Sequence, residues 1–165
     1  LENPDNGVVD YFSEGGVVSK DIELRRRITL VLPKIGIFNT TVFQNAAYGL
    51  KIRGIKGNEM EKRVEKALDF VGLIHKKYQN ATTLSSGETR RLGIARALVI
   101  EPEILFLDEP TASVDDENTR IIENIILNMK KEGRSTVIIT THDKQQAERL
   151  ADDLLIMHEG RIIND

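Results

Sequence analysis

The sequence predicts an α/β fold built on a parallel sheet. In the second half of the chain, short runs of apolar and β-branched residues alternate with longer segments whose apolar residues recur at the helical period. Of the 165 residues, 40% are hydrophobic and 30% are charged, which is ordinary for one globular domain with its own core. There is no cysteine, so disulfides and thiolate-bound metals are excluded.

The charge balance argues against two classes of partner. The net charge is −3, so the chain has no broad basic field with which to hold nucleic acid or an anionic membrane. No apolar run approaches the roughly 18 residues that a membrane-spanning helix needs.

The first residue is Leu1 rather than methionine, and we expect the natural start to lie upstream.

The first part of the chain predicts a hairpin and then a buried strand. Gly7 to Phe12 and Gly15 to Lys20 have the composition of two short strands around Ser13-Glu14. Ile28 to Leu32 is a continuous apolar run, which is typical of a buried strand. Pro33 ends this strand because proline has no N–H to donate to the ladder.

The middle of the chain predicts helices. Thr41 and Gln44 have the spacing of a capping box, so a helix is expected from there to about Leu50. A second helix is expected from Asn58 to Val71, where apolar residues recur at the helical period. These apolar residues are Met60, Val64, Leu68 and Val71.

The second half predicts a regular alternation of helices and strands. A glycine, Gly133, is expected to end the long helix that precedes it. The predicted elements are a helix at Glu88 to Ile100, a strand at Ile104 to Leu107, a helix at Glu117 to Lys131, a strand at Thr136 to Thr140, a helix at Lys144 to Ala151, and a hairpin of Leu154 to Met157 with Arg161 to Ile163.

Two acids follow the predicted strand ILFL. Asp108 and Glu109 would lie at its carboxyl end, which is where open α/β sheets bind ligands. A carboxylate there could hold Mg²⁺ at a phosphate site, and a second acid could deprotonate an attacking water. By itself, the stretch is equally compatible with two solvated acids before a proline turn.

Two further stretches carry polar groups to the ends of elements. LSSGE opens a helix, so its hydroxyls and the Gly87 N–H would lie at a positive helix N-terminus, which favours anions. The simpler interpretation is that Ser85 or Ser86 is an ordinary N-cap. His142 in TTHD follows a predicted parallel strand, at the same edge as the two acids, although a lone histidine is more often structural.

The order of these motifs resembles one family. The motifs are LSSGE at Leu84 to Glu88, ILFLDEP at Ile104 to Pro110, SVD at Ser113 to Asp115 and TTHD at Thr140 to Asp143. With the flanking sequence, from LENPDNG at Leu1 to Arg161, they resemble the nucleotide-binding domain of ATP-binding-cassette (ABC) transporters. The resemblance implies a P-loop NTPase parallel-sheet core that is N-terminally incomplete, formed by residues 1–32 and 100–165. Residues 33–99 would hold the Q-loop region, an inserted helical subdomain and the signature.

The resemblance also implies roles for the residues at the strand ends. Asp108 would hold Mg²⁺, Glu109 would be the general base on the attacking water, and His142 would contact the γ-phosphate of ATP. The family works as a head-to-tail dimer with two ATP molecules between the subunits. The signature residues Ser85, Ser86, Gly87 and Glu88 would therefore face the ATP of a second ATPase subunit, and Asp115 would lie at the dimer contact.

The chain departs from the family pattern in two places. The P-loop, G-x-x-x-x-G-K-[ST], is absent, since no glycine in the chain is followed by lysine. LENPDNG resembles the family segment after the P-loop helix, so the missing part is expected before Leu1. Pro33 stands where the family has the Q-loop glutamine, and a proline side chain cannot take that role.

Several functions remain open at this point. The short interval between Pro33 and Leu84, without heptads, favours transporters over DNA-repair relatives with long coiled coils. Phe38 to Gly54 resembles importer ATPases of the tungstate, molybdate or phosphate type, and would contact a membrane-spanning subunit from the cytoplasmic side of the cell membrane. The alternative is a non-hydrolysing module that lends its signature to an intact partner. We expect this chain alone to be inactive, and to form a non-monomeric or strand-exchanged assembly.

Overall fold

A computed structural model describes residues 4–13 and 16–163 of the chain. The strands are β1 Tyr11–Ser13, β2 Gly16–Val18, β3 Ile28–Val31, β4 Ile104–Asp108, β5 Thr136–Thr140, β6 Ile156–His158 and β7 Arg161–Ile163. The α-helices are α1 Ile22–Arg27, α2 Val42–Ala46, α3 Tyr48–Ile52, α4 Gly57–Phe70, α5 Ser86–Leu98, α6 Asp116–Glu132 and α7 Lys144–Leu150. Short 3₁₀ turns at Ile74–Lys76 and Ala81–Thr83 lie between α4 and α5.

The central sheet is parallel, as predicted, with the strand order β3-β4-β5. Val31, Leu107 and Ile139 lie side by side across it. Val31 and Leu107 are buried and belong to one hydrophobic cluster together with residues of α5 and α6. One face of the sheet is therefore covered by these helices, and all three strands end at the same carboxyl edge.

The opposite face of the sheet is uncovered in the part of the chain that the structure describes. Leu30, Phe106 and Ile138 lie side by side on it, and Leu30 and Ile138 are 56% and 41% exposed. The strand predicted at Ile28 to Leu32 is therefore present, but the prediction that it is buried is wrong except at Val31. An apolar run reports the apolar character of both faces of a strand, but it cannot report whether a neighbour covers each face.

The two long amphipathic helices are confirmed. The buried residues of α4 are Val64, Ala67 and Leu68. Those of α6 are Ile122, Ile125, Ile126 and Met129. Gly133 ends α6 in the left-handed conformation, with φ of 63°, which a glycine adopts without steric cost.

The region around Thr41 differs from the prediction. Thr41 does cap α2, because its hydroxyl accepts the Gln44 N–H at 3.1 Å. The capping box is not completed, because the Gln44 side chain instead accepts a hydrogen bond from Lys51. The single helix expected to reach Leu50 is divided into α2 and α3, with Ala47 between them.

One helix was not predicted. Asp21 caps α1 by accepting the N–H groups of Glu23 and Leu24 at 2.9 and 3.1 Å. The sequence did contain a signal, since an acid lies in the first turn and arginines lie in the last. Charges in these positions interact favourably with the helix dipole.

The two predicted hairpins are present. The first is shorter than expected, and its turn residues Glu14 and Gly15 lie outside the described residues. The second turns at Glu159 and Gly160, both with positive φ, as type I′ hairpin loops require. Residues 1–3, 164 and 165 also lie outside the described part, which includes the start of the LENPDNG segment. Within residues 4–13 and 16–163, no helix has the length and apolar character needed to cross a membrane.

Candidate functional site

The predicted acids and histidine meet at the carboxyl edge of the sheet. Asp108 ends β4 beside Thr140, which ends β5. The Thr140 hydroxyl donates to Asp108 Oδ1 at 2.5 Å, and the Glu109 N–H donates to the Thr140 carbonyl oxygen at 3.1 Å. Two adjacent strand ends are thereby tied together, and the juxtaposition predicted from the sequence is confirmed.

Glu109 and His142 form a hydrogen-bonded pair at this edge. His142 Nδ1 lies 2.9 Å from Glu109 Oε1. The histidine side chain is 83% exposed, whereas that of Glu109 is 28% exposed. The hydrogen bond to Glu109 and the charge of its carboxylate raise the pKa of His142 above its ordinary value. The arrangement directs the carboxylate and the imidazole toward one another on an open surface.

The loop that carries Glu109 has an uncommon backbone. Glu109 and Ser113 adopt positive φ values of 46° and 61°, which non-glycine residues seldom do. A buried side chain supports the loop from α7, where Gln146 Nε2 donates to Thr111 Oγ1 at 2.8 Å and to Glu123 Oε1 at 3.0 Å. Sequence reasoning missed Gln146, since nothing distinguishes it from the other polar residues of that helix.

Ser85 is the N-cap of α5, as the simpler of the two interpretations predicts, and its role at an anion site stays a prediction. Its hydroxyl accepts the Glu88 N–H at 3.2 Å, and Glu88 Oε2 accepts the Ser85 N–H at 3.0 Å, which completes a capping box. Lys76 lies 2.5 Å from the other oxygen of Glu88, and this hydrogen bond holds the pKa of that carboxyl below its usual value. Ser85 and Ser86 are both exposed at the helix N-terminus.

Gly87 is buried against the start of α6. A Cβ atom at this position would lie 2.1 Å from Asn118 Cγ, so no side chain fits without displacement of α6 or of Asn118. The Asn118 side chain in turn donates to Asp115 at 2.9 Å, and its N–H donates to Asp115 Oδ1 at 2.8 Å. These bonds lower the pKa of Asp115. The structure therefore joins Gly87 and Asp115 through Asn118, a residue that sequence reasoning missed.

Asp108 suits a magnesium ion bound together with a nucleotide. Mg²⁺ is commonly held by one or two carboxylates, with waters and phosphate oxygens completing its shell. The described residues contain no group of three or more acidic or histidine side chains that could hold a metal by themselves. Asp108 at the carboxyl edge of the parallel sheet therefore fits a Mg²⁺ whose other ligands are waters and phosphate oxygens.

Comparison with known proteins gives consistent matches. Residues 1–112 match the family model described as ABC transporter. The chain is 41% identical to the tungstate uptake system ATP-binding protein TupC of Peptoclostridium acidaminophilum, over 85% of this chain and 65% of that protein. It is 39% identical to the phosphate import ATP-binding protein PstB 2 of Natronomonas pharaonis, over 99% of this chain and 61% of that protein. The chain thus spans less than two thirds of the length of these relatives.

Solved structures agree with the sequence matches. The structure of cbiO1 from Clostridium perfringens, part of the ABC transporter complex cbiONQ, superposes with a TM-score of 0.84 at 32% identity. That match covers 93% of this chain and 63% of the other. An inward-facing metal-chelate type ABC transporter superposes with a TM-score of 0.76 at 25% identity, over 83% of this chain and 57% of the other.

Proposed function

This chain belongs to the ABC transporter family, and on that premise we propose that it is the ATP-binding subunit of an importer, in which ATP hydrolysis drives solute uptake. Members of the family bind ATP and Mg²⁺ in general. The observation that carries the proposal is the convergence of Asp108, Glu109 and His142 at the carboxyl edge of the parallel sheet. Parallel sheets bind phosphate ligands at this edge.

We assign a separate task to each residue at the edge. Mg-ATP, when bound, would supply the phosphoryl group that is transferred. Asp108 would hold the ion through its carboxylate, one oxygen of which accepts the Thr140 hydroxyl. Glu109 would accept a proton from the attacking water, and His142 would orient Glu109 through their hydrogen bond and contact the terminal phosphate. The family resemblance supports these assignments, together with the contacts just described.

The signature end of α5 would serve a second ATPase subunit. Ser85, Ser86 and Gly87 lie at the N-terminus of a 13-residue helix, whose positive dipole end favours the phosphates of an ATP held by that subunit. Asp115 would lie at the contact between the subunits. We infer that the signature can act without a P-loop in the same chain. The reason is that the conformation of the signature is held by contacts within α5 and with the start of α6.

The solute and the membrane partner are proposals from similarity. The printed names of the relatives refer to tungstate uptake and to phosphate import, so we propose an oxyanion as the solute. The cytoplasmic side of the cell membrane would be the location, with Phe38 to Gly54 against a membrane-spanning subunit. Phe38 and Tyr48 are suited to this contact, since their rings lie 4.6 Å apart and are 41% and 43% exposed. From the sequence, Phe43 and Tyr48 are the expected anchors of this contact, but Phe43 is partly buried and packs against the core. Crosslinks to that subunit from other segments alone would contradict this assignment.

A second candidate function is a non-hydrolysing module that lends its signature to an intact partner. The proline at position 33, where the family has the Q-loop glutamine, favours it. In either case we expect no ATP turnover by these residues alone, since the backbone cradle and lysine of a P-loop are what hold the β- and γ-phosphates.

Two turnover measurements test these proposals. Phosphate release at saturating Mg-ATP should be at background for the chain alone, and activity that Glu109→Gln removes would show that a phosphate site had been missed. The chain is then titrated into a relative whose P-loop is intact and whose signature is disabled. We expect the turnover of the mixture to rise, and a mixture that stays at the rate of the disabled relative would contradict the role in trans.

A further inference from the structure

Arg90 is a buried cation that sequence reasoning did not single out. It lies on α5 and is 8% exposed. Its guanidinium donates to the carbonyl oxygen of Ala112 at 2.9 Å and to the carbonyl oxygen of Pro33. Within the described residues, no ion pair includes Arg90, and burial lowers its pKa. Burying the charge of Arg90 against two neutral carbonyl groups, with no anionic partner, costs free energy of folding. We therefore ask what these two hydrogen bonds do for the site.

The two carbonyl groups belong to the loops that follow neighbouring strands. Pro33 lies two residues beyond the end of β3, and Ala112 lies four residues beyond the end of β4. Ala112 is also part of the loop of Glu109, since its N–H donates to the Glu109 carbonyl oxygen at 3.1 Å. One planar guanidinium on α5 therefore holds two loops at the carboxyl edge of the sheet.

The same face of α5 also contacts residues 35–38, which follow Pro33 in the segment after β3. Gly93 lies three residues after Arg90, and a Cβ atom there would lie 2.1 Å from Ile35 Cδ1. Arg96 lies a further three residues along, donates to the Gly36 carbonyl oxygen at 2.5 Å and lies 5.2 Å from the centre of the Phe38 ring. The spacing of three places all these residues on one side of the helix.

We propose that Arg90 is a positioning residue of the ATPase site, which fixes the loop of Glu109 and the segment after β3 to the signature helix. Ser85, the N-cap of this helix, lies five residues before Arg90, so a shift of α5 on contact with ATP would move both loops together. The proposal rests on the proposed function. It also gives Pro33 a role that a proline can perform, because proline lacks an N–H and an amide side chain but keeps its carbonyl group.

The test is amide hydrogen exchange in Arg90→Met, with Arg91→Met as the matched control. Arg91 is the adjacent residue on α5, burial also lowers its pKa, and it donates to the Val71 carbonyl oxygen at 2.9 Å, away from both loops. Exchange is read by mass spectrometry in peptides that cover residues 34–38 and 109–114. We expect it to accelerate about 10- to 100-fold in both peptides for Arg90→Met, which corresponds to losing a hydrogen bond to a charged group. Arg91→Met should leave both peptides unchanged.

Arg90→Lys separates positioning from general stability. Lysine keeps the charge but has no planar fork, so it can hold one carbonyl group well and not both. We expect amide exchange in one of the two peptides to stay as slow as in the unaltered chain. Exchange in the other peptide should become at least about threefold faster. This variant decides the question if Arg90→Met does not fold.

The NMR chemical shift of the His142 ring at a fixed pH gives a second readout, because it reports whether Glu109 still forms its hydrogen bond with the histidine. We expect this chemical shift to change in Arg90→Met and not in Arg91→Met, with His75 and His158 as internal controls. Unchanged exchange in both Arg90 variants, or equal acceleration in the Arg91 control, would overturn the proposal. Neither readout uses ATP, so failure here is distinguishable from failure of the mixed turnover assay.

Discussion

The N-terminus of α5 and the carboxyl edge of the sheet hold the two halves of the candidate site, and they are stabilised in different ways. At the helix end, Ser85 and Glu88 cap each other, and Gly87 is packed closely against α6. At the sheet edge, the Glu109–His142 pair is open to solvent and lies on a loop with two uncommon φ values. The helix end is held by contacts within and next to α5, whereas the loop at the sheet edge is held by side chains from more distant elements, such as Gln146 of α7 and Arg90 of α5.

The largest change to stability should come from the helix end. Gly87→Ala would place a Cβ atom 2.1 Å from Asn118 Cγ, so α5 or Asn118 must move, at a cost of about 1–3 kcal/mol in the free energy of unfolding. Chemical denaturation of the variant measures this cost. Adding Asn118→Ala removes the two nearest atoms and should recover part of the loss, although the Asn118 Cβ at 2.7 Å remains. Strictly additive effects of the two substitutions would show that this contact is not the cause.

The uncovered face of the sheet should control association. Leu30 and Ile138 are exposed there, and β3 and β5 are the outer strands of the described sheet, with edges that invite pairing. We expect light scattering to give a mass above the 18.6 kDa of one chain. The double variant Leu30→Lys with Ile138→Lys should lower that mass, because burying two ammonium groups in a contact is unfavourable. A stable monomer of the unaltered chain, with cooperative unfolding, would contradict this expectation.

The smallest effect concerns the sheet edge. Glu109→Gln should lower the pKa of His142 toward its ordinary value of 6.5, because the hydrogen bond to Glu109 and its charge raise that pKa in the folded chain. The stability that the contact contributes is fully present below that ordinary value and is lost as the pH rises through the raised pKa. Histidine NMR titration of both chains provides the measurement, and added salt should reduce the difference because the pair is exposed. Identical titration curves would show that the contact with Glu109 does not raise the pKa of His142.

Much of the fold followed from local patterns. The β-branched runs, the helical periods and Gly133 predicted the second half of the chain, because tertiary packing there agrees with local propensity. Two errors have a physical cause: an apolar run could not show which face of β3 lacks a neighbour, and a capping-box spacing at Thr41 could not show that Lys51 competes for Gln44. At the site, motif order predicted the edge residues. Arg90 could not be predicted because it holds backbone groups that are distant in sequence, and the contact of Asn118 with Gly87 could not be predicted because it joins two helices.

The central claim is that the signature end of α5 can act on an ATP held by another subunit. Ser85→Arg tests it most directly, since the exposed N-cap hydroxyl is lost and a long side chain takes its place at the helix N-terminus. Gln145→Arg, at an exposed position on α7, is the matched control for an added arginine.

The measurement is the ATP turnover of a relative with an intact P-loop and a disabled signature, titrated with each form of this chain. We predict that the unaltered chain and Gln145→Arg raise turnover equally and that Ser85→Arg reduces the increase at least about 100-fold, the scale of losing a phosphate-stabilising contact in a transition state. An increase that Ser85→Arg leaves intact would contradict the claim, as would no increase with the unaltered chain.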